Sequence, residues 1–454
     1  MVKMTMATNI NSLNMLKEET FRKFQAQQNE PLWVQSHRQA AWDSMNTLPL
    51  PTLKDESWRR TDIRALNLEE YQVPGTYEGI SKLVDFRKLE KEAKDRFELG
   101  KSHGVFLMSR DSLPHGCVGC DKLPEGVVFD YLENQYAKRS ELLQKFYGKA
   151  VPAGESKFIS LHYAYQSGGV ILYVPDNIKV DIPLNFYSLI TQNQQADFSH
   201  VLVVMGRNSE ATFVRRTSSL EKELQGFHCG VVELHLLEGA KLHYVDIQDW
   251  NENTWHFSTQ RAFLAKDSNL EWVAAGIGGK VGKTDSNTHL KAEGARVEML
   301  GLVCVNGTQH LDYHTLQDHD APNAASDLLY NCVLDDKARS VFRGMIHVHP
   351  HAQKTDAYQK NNNLSLNSDA RADSIPGLEI SANDVRCTHG STTREIDAEE
   401  IFYLMSRGIS REKAENLIVE GFFETVLQRM SSEPVKDVVR TLILRKLGLE
   451  HLND

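Results

Sequence analysis

The sequence predicts a mainly β protein, a repeating β core held between two helical regions. Three observations predict it. From about residue 167 the chain becomes a series of short, closely spaced, β-branched or alternating segments, among them VILYV, HVLVV, ATFVRR, VVELHLL and KLHYVDI. A turn-then-strand unit recurs through them about every 30 residues, as DNIKV, RNSEA, EGAKL, KDSNL, EGARV, DKARS and SDARA. On either side of this region, apolar residues fall instead at the three- and four-residue spacing of helices.

Residues 1–165 read as a helical or mixed domain. SLNMLKEETFRKFQAQQ and YLENQYAKRSELLQKFYG carry the helical spacing, and the proline-punctuated LPLPTLKDESWRRTDI between them reads as a loop. Residues 166–395 read as the β core. The central residues of its repeat are Ile178, Ser209, Ala240, Ser268, Ala295, Ala338 and Ala370, at spacings of 31, 31, 28, 27, 43 and 32. Such a repeat predicts a solenoid, each coil burying its apolar face on its neighbours. On the repeat alone an all-β sandwich with similar turns stays open. Residues 396–454 read as helical again. Asp397 with Glu400 resembles a capping box, Gly408 suits a helix end, and Ser410 can cap a second helix. That helix carries the stripe Ala414, Leu417, Ile418, Gly421, Phe422 and Val426, and PVKDVVRTLILRKLGL predicts a last one. So small a tail must pack on the β body or on a partner.

Composition narrows the function. Hydrophobic content of 41% and charged content of 25% are those of a soluble protein, and the net charge of −10 argues against a dedicated nucleic-acid binder. The opening MVKMTMATNINSLNMLKEET has no apolar core of signal-peptide length, and no run reaches the roughly 18–20 apolar residues that span a bilayer. Six scattered cysteines make no disulfide framework. The expected setting is a reducing cytoplasm, with no membrane and no nucleic acid.

Four motifs invite chemistry. GGKVGKT, Gly278 to Thr284, approaches a phosphate-binding loop but has Ile277 where the first glycine belongs, and no helical pattern follows. A β-turn is expected there, and no ATPase. HGCVGC holds Cys117 and Cys120, a lone pair lacking two further zinc ligands. GMIHVHPHAQKTDAY sets His347, His349 and His351 at alternate positions, which on a strand face one way and could converge on a metal. Pro350 interrupts that strand and no carboxylate at clear spacing completes a set, so a polar face or an interface is the expectation. His310, His314 and His319 could join only if folding gathered them. Last, DVRCTHGSTTREID places Cys387 and His389 two apart, on one face if extended. Thiolate and imidazole hold iron or iron–sulfur species, yet two ligands cannot close a tetrahedral site. Taken alone, Cys387 reads more readily as a small buried residue than as a ligand.

The surrounding residues bear on that choice. TDAYQ, NNNL, DSIPGLEI, CTHG and FYLMSRGI, dense over roughly 350 to 425, resemble the C-terminal signature of the SufB/SufD family, the scaffold proteins of Suf iron–sulfur cluster assembly. DESWRRTDI and the β-rich middle resemble the family less distinctively. Gly390, where SufB members commonly carry glutamate, and the WRRTD element make the chain most like SufD. TTRE after CTHGS departs from the family's usual small-residue and glycine run. The resemblance implies a right-handed parallel β-helix flanked by helical domains. It further implies a non-catalytic scaffold role: pairing with a SufB-like paralogue, and a transient cluster built at the seam with His389 and Cys387 as this chain's ligands. A SufC-like ATPase would dock on the C-terminal helices, for which Leu417, Ile418 and Phe422 are the candidates. A desulfurase system would supply sulfur, and flavin is a candidate cofactor of the assembled complex. Alone, such a chain could form a homodimer. The alternatives are a SufB-like homodimeric scaffold, or a cupin-like or β-helix metal or carbohydrate enzyme.

Overall fold

The computed structural model describes residues 14–74, 105–108 and 116–447. Its core is a parallel β-solenoid of about eight turns. The chain alternates between two facing sheets, leaving one strand in each per turn. In spatial order the first sheet runs Gly116–Val118, Val105–Met108, Leu184–Ile190, Glu210–Ser219, Lys241–Asp249, Asn269–Gly276, Arg296–Val305, Ala325–Leu334, Asp356–Ser365 and Arg386–Glu395. The second runs Val128–Tyr131, Val170–Val174, His200–Met205, Gly226–Leu236, Thr254–Leu264, Val281–Leu290, His310–His319, Arg339–Val348 and Arg371–Ile380, with Gln195–Asp197 beside Gly226–Leu236. Among the described strands, antiparallel pairs occur only at the N-terminal end of each sheet. Parallel pairing along the sequence removes the sandwich and cupin-type alternatives, both of which are antiparallel.

The repeat read from the sequence is the solenoid's corner. Asn208, Gly239, Asp267 and Gly294 adopt positive φ, which Asn, Asp and Gly tolerate best, and each turns the chain directly before a repeat residue. Ser209, Ala240, Ser268 and Ala295 then lie buried, and their carbonyls accept from the amides of Lys241, Asn269, Arg296 and Ala325 in the next coil, at 2.8 to 3.0 Å. A small residue is needed because coils meet backbone to backbone there. The anomalous 43-residue spacing has a structural cause. Ala324, 29 residues after Ala295, occupies the same corner behind the left-handed Asn323, whereas Ala338 and Ala370 precede second-sheet strands at the opposite corner.

Inward-facing residues such as Phe213, Tyr244, Trp272, Met299 and Leu328 form the apolar interior. Both outer faces are partly covered. On the second sheet lie α1 (Glu18–Gln27), α2 (Leu32–Thr47), α3 (Leu132–Gln135), α4 (Ser140–Phe146) and α5 (Lys157–Tyr165), with Phe21, Trp42, Phe158 and Tyr165 against Phe227, Val231 and Phe257. The helical spacing read over 131–148 is divided between two helices, α3 and α4. The buried Arg38 guanidinium pairs with Glu30 and donates to the carbonyls of Tyr163, Ala164 and Gln166, closing the negative end of α5 with a cation. On the first sheet lie α7 (Arg411–Leu427) and α8 (Glu433–Lys446), reached through α6 (Ala398–Ser406). Val419, Phe423, Val426, Val439 and Ile443 pack on Val245, Val273, Leu300 and Leu302. Among the described residues no helix is long and apolar enough to cross a membrane.

GGKVGKT is a turn followed by the strand Val281–Leu290, with no helix to meet phosphate. Gly278 has its own reason: a Cβ there would sit 1.8 Å from the Trp250 carbonyl oxygen.

Candidate functional site

Among the described residues, nothing caps the C-terminal end of the solenoid. Arg371–Ile380 and Arg386–Glu395, ten residues each, are the outermost strands of their sheets and pair on one side only. The chain then turns back over the outer face of the first sheet, and no described residue covers that end. Leu378 and Ile380, in register with the buried Ile346 and Val348, would be interior residues in any earlier coil; here they are 37% and 40% exposed. Solenoids need a polar cap or a neighbour at such an end, and unprotected edge strands invite pairing with another chain.

Cys387 and His389 stand on this edge. Arg386 fixes the strand start through a two-pronged pair with Asp356, at 3.0 and 2.5 Å, and Ser391 donates to Ser374 across the open end at 2.8 Å. The register places Cys387 beside Ala357 and His389 beside Gln359. Both follow the inward-facing side of the first sheet. The row leading to His389 reads Phe213, Tyr244, Trp272, Met299, Leu328, Gln359, so the apolar interior gives way to polar side chains in its last two rungs. His389 is exposed, and its ring makes no hydrogen bond to a described residue. Cys387 is half-buried against Val348, Ala352 and Ala357. Burial pushes its thiol up, and the charge of Asp356 adds to this against a lowering bond from the Ala357 backbone. Alone, it is a protonated thiol at neutral pH. The other free cysteines among the described residues, Cys229, Cys304 and Cys332, are fully buried, and burial pushes Cys304 and Cys332 up to about 12. They are packing residues. No side chain is described for Cys117; Cys120 is half-buried against the solenoid interior and disulfide-bonded, so it offers no free thiol.

The remaining histidines divide by strand parity. His310 and His314 lie on the outer face of the second sheet near Asp312, whereas His319 points inward to Ser326. They do not gather. His347 and His349 do converge, on a carboxylate the sequence reading did not find: Asp318, supplied by the preceding coil. His351 goes to Asp320 instead.

Comparison with known proteins identifies the family of the chain. A family model described as "SUF system FeS cluster assembly, SufBD core domain" matches residues 188–422, more than half of the chain. The chain belongs to the SufBD family. The family's "SufBD protein N-terminal region" matches residues 6–186. An "Iron-sulfur cluster assembly SufBD family protein" of Staphylococcus aureus (strain USA300) is 26% identical over 434 residues, covering 94% of this chain and 92% of the relative. One of Staphylococcus haemolyticus is 26% identical over 438 residues, with the same coverage. As a SufBD protein, the chain presents its exposed edge in a family of iron–sulfur cluster assembly.

The C-terminal helices of this SufBD chain differ from the stripe read in the sequence. The buried face of α7 is Ala414, Val419, Phe423, Val426 and Leu427. Of the three docking candidates, Ile418 and Phe422 lean on the solenoid and the Phe422 carbonyl accepts from Asn331 at 2.7 Å; only Leu417 is exposed. A more exposed apolar group lies on α6: Phe402 at 73%, Tyr403 at 57% and Met405 at 45%. The signal was present as FYLMSRGI, but a nine-residue helix leaves its buried side undetermined by spacing alone.

Proposed function

We propose that the chain is the SufD-type subunit of a SUF scaffold. It pairs through its uncapped end with a SufB-like paralogue, and a nascent iron–sulfur cluster, held transiently as cargo, is built where His389 and Cys387 meet ligands of that paralogue. One observation carries the reading. The only partly exposed free cysteine among the described residues and an unpaired histidine share an edge strand, at the end where the solenoid lacks a cap. Gly390 beside His389 supports the SufD type. An imidazole there can ligate iron or take a proton from a sulfur-bearing cysteine across the seam. Cys387, with its thiol held protonated, is the weaker contributor.

In this reading the chain is a cytoplasmic scaffold rather than an enzyme, and its three parts divide the work. Of residues 1–165 the described helices brace one outer face, 166–395 carry the edge, and 396–454 dock a SufC-like ATPase. The exposed Phe402, Tyr403, Met405 and Leu417 favour docking on α6 and the start of α7 over Ile418 and Phe422. A desulfurase system supplies sulfur, and flavin is assigned to the assembled complex. The test is co-expression with a SufB-like and a SufC-like protein, followed by size-exclusion chromatography with light scattering. A stable three-component complex is expected, with the chain alone colourless. Absence of any complex would sink the scaffold reading. Pairing of the chain only with itself would replace it by the SufB-like homodimeric scaffold.

A further inference from the structure

The solenoid register builds a second cluster of ligating groups, on the outer face of the second sheet and away from the edge strands. His289, Asp318 and His347 occupy the same rung of three successive strands, with Phe263 before them and Glu379 after. The Asp318 carboxylate is the hub. His289 Nδ1 lies 2.7 Å from its Oδ2, while His347 Nδ1 and His349 Nε2 lie 2.8 and 3.0 Å from its Oδ1. The ligand atoms of Asp318, His347 and His349 all fall within 4.8 Å of one another, and among the described residues this is the one group of three or more that does so. His347 and His349 straddle the chain position of the inward-facing Val348, so the end of the strand lets both rings turn outward onto one carboxylate.

Three imidazoles around one carboxylate are more donors than its charge requires. With metal–ligand bonds of about 2.0–2.1 Å, tetrahedral ligand atoms stand about 3.3 Å apart. The His347 and His349 contacts to Asp318 Oδ1, at 2.8 and 3.0 Å, would open by a few tenths of an ångström, and the full set of three ligand atoms already lies within 4.8 Å. The hub is buried but His347 and His349 are half-exposed, which gives an ion a route in. Asp320 lies 3.9 Å from His349 Nδ1, where a second carboxylate would steady a ligating ring. The nearby Lys291 is engaged by that same Asp320 at 3.4 Å, so it does not oppose a cation at Asp318. His289 Nε2 is buried without a hydrogen-bond partner, which leaves its Nδ1 as the ring's one engaged atom, facing the hub.

We propose that Asp318, His347 and His349 bind one first-row divalent cation of the zinc or ferrous class, with His289 holding the other carboxylate oxygen of Asp318 from behind. Mixed imidazole and carboxylate donors select that class over calcium or magnesium, which take oxygen, and over thiophilic ions. The site is independent of the cluster-scaffold reading, because its residues lie on a different sheet face from Cys387 and His389.

The experiment uses the full chain, stripped with a chelator and carrying Cys387→Ala and His389→Ala so that the edge cannot contribute. Zn2+ and, anaerobically, Fe2+ are titrated calorimetrically, and Co2+ is followed by its visible ligand-field absorption. One equivalent is expected to bind. Asp318→Asn and His349→Ala should each weaken binding by at least about 100-fold, since each removes a direct ligand where even supporting groups contribute 10- to 100-fold. His314→Ala, an outer-face histidine on the same strand as Asp318, should leave it unchanged. Circular dichroism reports folding; should Asp318→Asn misfold, His349→Ala on its half-exposed segment decides the matter. Absence of saturable one-equivalent binding, or wild-type affinity in the folded Asp318→Asn or His349→Ala protein, overturns the site and leaves a hydrogen-bonded histidine cluster.

Discussion

Replacing Leu378 and Ile380 together by lysine tests the uncapped end directly. Complete burial of a leucine or isoleucine contributes about 1.5–3 kcal/mol. These two side chains are already covered for more than half of their surface, 37% and 40% remaining exposed. A partner seated on the end would thus gain about 1 kcal/mol from each, and losing both corresponds to about 30-fold in Kd. Lysine adds the desolvation of two ammonium groups at an apolar seam, so the loss should exceed that figure. Inside the isolated chain the change is mild, because both positions face solvent and their strand keeps its ladder to Arg339–Val348. The assay is sedimentation velocity of the variant with its co-expressed paralogue over a concentration series, with thermal unfolding of the chain alone as control. Dissociation at least 30-fold weaker than wild type, with unfolding little changed, is expected. Affinity within threefold of wild type would show that the partner sits elsewhere, and the open-end reasoning would fail with it.

His389→Ala should leave folding within about 0.5 kcal/mol, as for other exposed positions, yet sharply lower the iron and sulfide recovered with the complex under anaerobic purification. Cys387→Ala should lower them less; equal recovery in wild type and His389→Ala would remove the histidine from the site. Phe402→Asp with Met405→Asp should abolish ATPase binding by surface plasmon resonance and remove any ATPase-induced change in amide exchange over 386–395, while unchanged binding would move the docking surface. These substitutions are preferable to deleting 397–454, which would strip α7 and α8 from a broad apolar face of the first sheet. Burial lowers the His319 pKa from 6.5 to about 4, against a weaker opposing effect of Asp318. The folded state therefore favours the neutral ring, and its contribution is present above pH 6.5 and lost as pH falls toward 4. At most about 3 kcal/mol is at stake, and His319→Gln should flatten the urea-unfolding stability curve across that window; an identical pH slope in both proteins would refute it.

The solenoid was legible because its corners repeat chemically. A left-handed Asn, Asp or Gly followed by a small buried residue is a local demand of the backbone, and local demands appear in a single sequence. Handedness is not such a demand, and the resemblance alone implied it. That Cys387 and His389 share a face was legible for a related reason, since strand parity fixes that residues two apart do so. Asp318 was not. It stands 29 residues before His347, and only the in-register stacking of coils makes that separation a contact. Spacing searches tuned to ligands on one strand or helix pass over it. The α7 stripe failed for another reason. Leu417, Ile418 and Phe422 share a helical face, but Val419, Phe423 and Leu427 form an equally apolar neighbouring one, and the sheet beneath chose the second.

The same geometry suggests how distant parts of the scaffold could act on each other. The edge strand ends at Glu395 and α6 begins at Ala398, so only Ile396 and Asp397 separate the Cys387–His389 edge from the helix bearing Phe402, Tyr403 and Met405. That link is not slack. Asp397 caps α6 by accepting from the Glu399 amide at 2.8 Å, one residue earlier than the capping box expected with Glu400, and Ile396 packs on the apolar cluster beneath α7. Arg394 of the strand reaches Glu400 of the helix at 3.5 Å. Beyond the link, α7 is fastened to the first sheet by Asn331 of the second-last full rung, which also receives Asn362 of the last strand before the edge at 2.9 Å. A protein pulling on α6 would load the outermost strand, which has a ladder on one side only, before it loaded the doubly paired strands behind it. In the proposed scaffold, the element that yields first is the one carrying the ligands.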